Sequence, residues 1–331
     1  MPSSASSLLL LLLPPFVTPH APTPTSLGPV IALLMQPGLL PTESYVPASY
    51  VKWLELAGAR VVPLSYHATD AEVDALFEQV NGALWSGGDG AVPPAARRLY
   101  TRAEEAYLRG DVFPIWGTCD GFEWLMQIAA EEDAVLTSPF DAWNISMPLN
   151  FTPAAPHSRA LADAALVPVL GTSDRPRLTV LDALSRKSVT MNNHRQGVTP
   201  DDFRASSKLT STFEILSTNR DRNGKEFVSF VEGLGGRPFW GTQWHPEKNI
   251  FEQGMQESGL PFEAMHHDSY AVAVSQYFAN FFVGLCRGST HKFLSPASES
   301  RALIYNYRTS TAMAPNFSQE YTIADSATAA S

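Results

Sequence analysis

Short apolar runs alternate with amphipathic segments along the first half of the chain. Residues 30–35 are continuously apolar, which is typical of a strand buried on both faces of a sheet. Residues 47–58 then place apolar side chains at helical spacing and end at Gly58, a residue that commonly terminates helices. Strand and helix patterns keep alternating up to residue 130. This rhythm predicts an α/β fold with a mostly parallel central sheet between two layers of helices.

The pattern changes in the second half of the chain. Apolar runs at residues 212–217 and 226–231 flank Asn223-Gly224, a dipeptide that favours a hairpin turn because it accepts a positive φ. A third apolar run, over residues 238–244, leads into a His-Pro-Glu sequence. Residues 270–285 carry an apolar stripe at helical spacing and predict a long helix that closes the domain.

The two ends of the chain differ in composition from its centre. Residues 8–13 form a leucine run, far shorter than the roughly 20 apolar residues that span a bilayer. The run fits the apolar core of a signal peptide without its positively charged start, and a disordered low-complexity leader is the alternative. Ser, Ala and Thr become frequent near the other end. We predict a leader over residues 1–25, one catalytic domain over residues 26–290 and a loosely ordered tail over residues 291–331.

Three Asn-x-Ser/Thr triplets begin at Asn144, Asn150 and Asn316. Each is a potential glycosylation acceptor, although a single triplet is a weak signal. Together with the leader, they favour a route through the secretory pathway to a vacuole or lysosome, or to the outside of the cell.

The net charge of −10, from 23 basic and 33 acidic residues, argues against nucleic acid or an anionic membrane surface as the main partner. A local basic pocket for a small anionic substrate stays possible. We expect no cofactor, no metal and no integral membrane segment. The two cysteines, Cys119 and Cys286, are too few for a disulfide framework, and a single bridge between them would consume the candidate nucleophile described next.

Cys119 lies in a Gly-Thr-Cys-Asp-Gly sequence between a predicted strand and a predicted helix. Gly117 and Gly121 allow a sharp turn and a close approach of the two elements, which exposes the thiol at the carboxyl end of the sheet. The adjacent helix N-terminus is expected to lower the thiol pKa. A buried structural cysteine is the alternative. The glycines favour a nucleophile.

A thiolate nucleophile needs a base, and the base needs a group that orients it. His245 and Glu247 lie two residues apart at the end of a predicted strand, so they form a candidate acid/base pair. The backbone N–H groups of Gly88, in a Gly-Gly turn after another strand, and of Asp120 are candidates for an oxyanion hole. An ordinary glycine turn is the alternative for Gly88.

These residues lie in segments that resemble the folate γ-glutamyl hydrolases, members of the class I glutamine amidotransferase-like superfamily. The most specific motifs are Trp-Gly-Thr-Cys ending at Cys119 and Gln-Trp-His-Pro-Glu-Lys over residues 243–248. The resemblance extends over about residues 29–290. The other matching segments are residues 29–36, 49–63, 147–152 and 157–159.

The resemblance implies a flavodoxin-like three-layer sandwich and a hydrolase of the γ-linked polyglutamate tails of folates. It implies Cys119 as the nucleophile, His245 as the acid/base and Glu247 as the third member of the triad. It also implies a substrate-site role for His194, which by itself is only a polar histidine predicted in a loop. Two features depart from the family. Asp120 occupies a position that is usually apolar, and residues 195–198 follow the family less closely.

Other functions stay open at this point. A glutaminase module, or a peptidase of glutathione-like γ-glutamyl peptides, would use the same nucleophile. Glutaminases of the superfamily usually carry Gln shortly after the second glycine of the turn, where this chain has Phe122 and Glu123. A secreted glycoprotein that kept the fold and lost catalysis is a third possibility. An apolar face on the predicted helix over residues 270–285 would also suit a homodimer.

Overall fold

A computed structural model of the chain describes residues 28–174, 176–311 and 317–324. The predicted leader over residues 1–25 and the triplet residue Asn316 lie outside the described residues. Within the described part of the chain, no helix is both long and apolar enough to cross a membrane.

The secondary structure alternates as the sequence pattern predicts. The strands are β1 (Val30–Leu34), β2 (Gln36–Pro37), β3 (Glu43–Pro47), β4 (Arg60–Leu64), β5 (Ala83–Trp85), β6 (Ile115–Thr118), β7 (Ala142–Met147), β8 (Asn150–Phe151), β9 (Thr190–His194), β10 (Phe213–Arg220), β11 (Glu226–Gly233), β12 (Phe239–Thr242), β13 (Thr309–Ser310) and β14 (Glu320–Ala324). The helices are α1 (Ala48–Leu56), α2 (Asp70–Phe77), α3 (Pro94–Leu108), α4 (Asp120–Ala130), α5 (Val180–Arg186), α6 (Pro200–Ala205), α7 (Ser207–Thr212), α8 (Lys248–Phe251), α9 (Ser269–Cys286) and α10 (Pro296–Ala302).

The central sheet has the strand order β4-β1-β5-β6-β12-β11-β10-β8. The first five strands are parallel to one another, and the last three continue the sheet in antiparallel pairs. Parallel strands need helical crossovers on the sheet faces, which explains why their sequences are mostly apolar. The predicted α/β class with a mostly parallel central sheet is confirmed.

Each face of the sheet is covered by helices. One buried cluster packs α2, α3 and α4 against the sheet, and a second packs α1, α5 and α9 against the opposite face. Helix α9 matches the helix predicted over residues 270–285, and its apolar stripe is buried in the second cluster. The three layers form the predicted sandwich.

The predicted hairpin is confirmed. Strands β10 and β11 pair in antiparallel register, and Gly224 in the turn between them has a φ of 82°. A residue with a side chain is strained at that φ, so the glycine suits the turn.

The described parts of the segment after residue 290 differ from the loosely ordered tail that we predicted. Helix α10 is followed by β13 and β14, and β14 pairs antiparallel with β3 along all five of its residues. Strand β3 would otherwise present unpaired backbone groups at the edge of a small sheet. Composition alone missed this strand because its partner lies more than 270 residues earlier in the chain.

Candidate active site

Cys119 lies at the turn between β6 and α4, with φ 54° and ψ −110°. A positive φ is uncommon for a residue with a side chain and is maintained only when the surrounding structure enforces it. The two flanking glycines let the surrounding elements pack closely around this turn. A Cβ atom on Gly117 would overlap the carbonyl of Gly121, and one on Gly121 would overlap the carbonyl of Trp85. The close approach of strand and helix predicted from the glycines is therefore present.

The surroundings of the thiol correct one expectation. Cys119 is only 4% exposed, and this burial raises the pKa of its thiol well above the ordinary value. The carboxyl groups of Glu123 and Asp120 act in the same direction, whereas Lys248 and the Asp120 N–H act in the opposite one. We predicted that the helix N-terminus would lower this pKa, but loss of solvation is the larger effect. The resting thiol is therefore protonated and needs a base.

His245 follows β12 and lies next to Cys119. Its backbone N–H donates to the carbonyl of Met191, 2.8 Å away. A Cβ atom placed on Gly87 would lie 2.8 Å from Cε1 of His245 and 3.1 Å from Cβ of Cys119, so both side chains contact the same small space. Nδ1 of His245 lies 2.8 Å from Oε1 of Glu247. The structure thus brings together the three residues that the sequence singled out.

The Glu247 side chain is fully buried, and its second oxygen, Oε2, has no hydrogen-bond partner within the described residues. The hydroxyl of Tyr50 lies 3.2 Å from Nδ1 of His245 and accepts a hydrogen bond of 2.8 Å from the N–H of Gly87. Burial, followed by the charge of Glu247, raises the Tyr50 pKa well above its ordinary value, so the hydroxyl stays protonated. The sequence pattern treated Tyr50 only as an apolar position of α1. The sequence did contain one signal for this role, because a tyrosine at a buried helix position needs a hydrogen-bond partner for its hydroxyl.

The Gly87–Gly88 turn lies against the thiol, as predicted for an oxyanion hole. The Gly87 N–H is bonded to Tyr50, whereas none of the described residues accepts a hydrogen bond from the N–H of Gly88. Gly88 is exposed and packs closely on the side chain of Gln36. The Asp120 N–H hydrogen-bonds toward the Cys119 thiol. Gly88 and Asp120 therefore stay candidates for the two donors of an oxyanion hole.

Two buried carboxyl groups lie in the first turn of α4. Burial raises the Asp120 pKa well above its ordinary value, and it raises the Glu123 pKa to about 7. Glu123 accepts a hydrogen bond of 2.9 Å from the side chain of Gln243, and Asp120 accepts one of 3.0 Å from the N–H of Gly90. From the sequence, Glu123 was noted only because glutaminases usually carry Gln near this position. Its burial near the thiol was not predicted.

His194 is the last residue of β9, not part of a loop, and is 4% exposed. Its strand contacts the site because Met191 forms a bridge with His245. Burial lowers the His194 pKa to about 4. Nδ1 lies 2.7 Å from the carbonyl of Gln196, and Nε2 is buried without a hydrogen-bond partner among the described residues. The ring is therefore neutral and presents one unused nitrogen.

One cation near the thiol is already paired. The Lys248 ammonium donates to both carboxylate oxygens of Glu263, at 2.6 and 2.8 Å, and both side chains are almost fully buried. Asn193 on β9 donates to the same carboxylate at 2.5 Å. The sequence alone allowed a local basic pocket, and Lys248 is a basic group that the fold places near the thiol.

The remaining sequence candidates lie away from the thiol. Both cysteines are free, and Cys286 is buried under Gly82 at the end of α9. Asn150 is exposed on β8. Asn144 is half-buried on β7, and its side-chain oxygen accepts a hydrogen bond of 2.5 Å from the N–H of Ala264.

The chain has clear relatives. Residues 44–258 match the model of the class-I glutamine amidotransferase family. The chain is 36% identical over 290 residues to γ-glutamyl hydrolase B of Dictyostelium discoideum, covering 84% of this chain and 78% of that protein. It is 35% identical over 314 residues to the γ-glutamyl hydrolase of Bos taurus (92% and 91%) and 34% identical over 300 residues to that of Homo sapiens (87% and 86%). On these matches, the chain belongs to the γ-glutamyl hydrolase family, within the class I glutamine amidotransferases.

Proposed function

We propose that this enzyme hydrolyses γ-glutamyl bonds in the polyglutamate tails of folates, with Cys119 as nucleophile. The observation that carries the proposal is that Cys119, on a strained strand-to-helix turn, and His245 border the same small space beside Gly87, while a buried carboxylate holds Nδ1 of the imidazole. That combination suits acyl transfer through a covalent intermediate. The family relationship supplies the bond type.

The first half of the reaction forms an acyl-enzyme. His245 takes the thiol proton as the Cys119 sulfur attacks the γ-amide carbonyl carbon, because the buried thiol is protonated at rest. The negative charge that develops on the carbonyl oxygen is stabilised by the N–H groups of Gly88 and Asp120. When the C–N bond breaks, the His245 imidazolium gives its proton to the departing amine, and a thioester remains on Cys119.

The second half releases the product. His245 takes a proton from a water molecule, which attacks the thioester carbonyl, and the C–S bond breaks as the sulfur regains a proton. Throughout, Glu247 holds Nδ1 of the ring, so Nε2 is the nitrogen that exchanges protons with the thiol. Tyr50 contacts the same nitrogen and the Gly87 N–H, and it ties the base to the oxyanion turn.

The substrate needs polar partners near the scissile bond. We propose that Nε2 of His194 accepts a hydrogen bond from a substrate N–H, because the neutral ring donates its one proton from Nδ1 to the carbonyl of Gln196. Lys248 contributes positive charge, which Glu263 partly neutralises in the free enzyme.

The decisive experiment incubates the enzyme with a defined pteroyl-polyglutamate ladder, with glutathione and with glutamine. We expect shortened folate and released glutamate or polyglutamate from the ladder, with no ammonia from glutamine. Cys119→Ala abolishes the activity, and the matched control Cys286→Ala retains it. Ammonia released from glutamine would favour a glutaminase, turnover of glutathione would broaden the substrate class, and no turnover of any compound would favour a non-catalytic glycoprotein.

We also propose passage through the secretory pathway to a vacuole, a lysosome or the cell exterior, with glycosylation at Asn150. Asn150 is exposed, whereas the side-chain oxygen of Asn144 accepts a hydrogen bond from the N–H of Ala264. In the folded protein, Asn150 is therefore the more accessible of the two to a glycosylating enzyme. Expression in a secretory host followed by mass spectrometry of glycopeptides checks this. A glycan on Asn144 but not on Asn150 would contradict it.

A homodimer through α9 is a further proposal. A groove of about 710 Å³ runs along this helix, with half-buried Tyr277 and Phe281 in its wall. Leu170, which also lines the groove, is 62% exposed. A second copy would cover this apolar surface. Light scattering of the purified protein should give a mass of two chains. The Phe281→Glu variant should have the mass of a single chain.

A further inference from the structure

We propose that Asp120 is a positioning residue for the oxyanion hole, through a buried carboxyl group that ties the Gly87–Gly90 turn to the first turn of α4. The inference rests on the proposed hydrolase function and deepens it.

The contacts of Asp120 cross from one element to another. Its Oδ2 accepts a hydrogen bond of 3.0 Å from the N–H of Gly90, and its carboxyl group is also hydrogen-bonded by the side chain of Gln36. Gln36 itself donates to the carbonyl of Ser86 at 2.8 Å and accepts from Gly90 at 3.3 Å. The turn is thus held at both ends, at Ser86 and at Gly90, by one small polar network. Asp120 is only 6% exposed, so water competes little for these bonds.

The network matters because the two proposed oxyanion donors belong to different elements. The Gly88 N–H lies on the turn after β5, and the Asp120 N–H lies at the start of α4. An oxyanion hole works only when its donors are fixed before the charge develops. The backbone of Asp120 supplies one of the two proposed donors. Its side chain restrains the turn that carries the second donor, the N–H of Gly88. Trp124 adds a second link, since its indole N–H donates to the carbonyl of Gly90 at 2.9 Å.

The charge of Asp120 also bears on the thiol. The groups that face the carboxyl are Glu123 on α4, Asp89 on the turn, Tyr45 on β3 and Tyr66 after β4, besides Cys119 itself. Burial and Glu123 raise the Asp120 pKa, so the neutral acid persists to a higher pH than usual. The neutral group still accepts from Gly90 through its carbonyl oxygen. When it ionises, its charge disfavours the thiolate, so activity should fall on the alkaline side.

The test compares Asp120→Leu with Asp120→Asn, and uses Glu132→Gln as the control. Glu132 lies beyond the end of α4 with an exposed side chain, so the control removes a carboxylate that lies outside the network. The kcat and KM for a pteroyl-polyglutamate are measured from pH 4 to pH 9, and thermal unfolding is recorded for each protein. Asp120→Leu should lower kcat by about 10- to 100-fold with KM changed less than about 3-fold, since the loss lies in the transition state. Asp120→Asn keeps an acceptor but cannot ionise, so it should recover much of that loss and move the alkaline limb to higher pH.

Several results would overturn the inference. They are a kcat for Asp120→Leu equal to that of the wild type, equal losses in the Leu and Asn variants, or an alkaline limb that Asp120→Asn does not move. If Asp120→Leu does not fold, the pH profile of Asp120→Asn decides alone. A folded wild-type protein without activity on the substrate would instead refute the proposed function. An active wild type with an unaffected Asp120→Leu variant refutes only the role of Asp120.

Discussion

Cys119 is not a thiolate at rest, so its proposed role as nucleophile depends on the neighbouring groups. Burial and the carboxyl groups of α4 keep its thiol protonated, and the backbone at this residue is strained. Strained residues of this kind are maintained by the structure around them and concentrate at functional sites. In the proposed mechanism, His245 therefore takes the thiol proton during attack, which makes the geometry of this histidine decisive.

The first prediction concerns Glu247, which holds the imidazole by a single hydrogen bond of 2.8 Å. Glu247→Gln removes the charge that stabilises the imidazolium and permits the wrong tautomer. We expect kcat to fall by roughly 10²–10⁴-fold with little change in fold. Glu257→Gln, at an exposed position of a nearby loop, is the control and should behave as the wild type. Steady-state kinetics measures both, and a Glu247→Gln variant with near wild-type kcat would exclude the triad.

The second prediction concerns the pH dependence of stability. Burial raises the Glu123 pKa to about 7, from an ordinary value of 4.5. Between these two pH values the folded state therefore binds more protons than the unfolded state. The stability that protonation of Glu123 contributes is fully present below pH 4.5 and is lost as the pH rises through about 7. The loss is on the order of 3 kcal/mol. Comparing the thermal midpoints of the wild type and Glu123→Gln at pH 5 and pH 8 isolates this contribution. The midpoint difference between the two pH values should be smaller in the variant, and an equal difference would contradict the assignment.

At the scale of elements, the site depends on how closely β6, β5 and α4 approach one another. The glycines of the turn make this approach possible, because side chains at either position would overlap backbone atoms of the neighbouring element. The thiol is thereby presented at the carboxyl edge of the sheet, where parallel strands commonly place functional groups.

The third prediction tests this approach. Gly121→Ala would overlap the carbonyl of Trp85, so strand and helix must separate. We expect a loss of about 1–3 kcal/mol in the free energy of unfolding, together with a loss of activity. Gly284→Ala is the matched control, because Gly284 lies in α9 with no atom within 4 Å of the added Cβ. It should stabilise the protein by about 0.5–1 kcal/mol. Chemical denaturation measures both changes, and a wild-type stability for Gly121→Ala would show that the approach is not required.

At the scale of the whole molecule, the end of the chain supports the region that carries the site. Strand β14 pairs with β3, which leads directly into α1 and thus to Tyr50. Nearby, the carbonyl of Gln319 accepts from the N–H of Ala48 at 2.9 Å, and the N–H of Ser318 donates to Glu252 at 2.6 Å. These contacts join the last described segment to both α1 and the loop after α8.

The fourth prediction follows from these contacts. A chain that ends at Thr311 lacks β14 and leaves the edge of β3 unpaired. We expect its thermal midpoint to fall by at least about 2–4 °C and its kcat to fall as well, because α1 positions Tyr50 next to His245. A chain that ends at Ala324 keeps β14 and serves as the reference. Equal midpoints and rates for the two proteins would show that β14 contributes nothing to the site.

The sequence by itself determined the features that depend on neighbours along the chain. The alternation of strands and helices, the hairpin at Asn223-Gly224 and the turn around Cys119 all arise from local patterns of apolar residues and glycines. His245 and Glu247 were found for the same reason, since their spacing after an apolar strand is visible without a structure.

Only the tertiary structure decided what depends on groups far apart in the chain. The direction of the Cys119 pKa, the contact of Tyr50 with His245 and the pairing of β14 with β3 each join segments separated by many residues or depend on burial. Desolvation and electrostatic interactions are set by the packed surroundings of a group, which a local pattern does not contain. For Asp120, the sequence showed only an acidic residue beside the nucleophile, and the fold directs its side chain to the turn that carries Gly88.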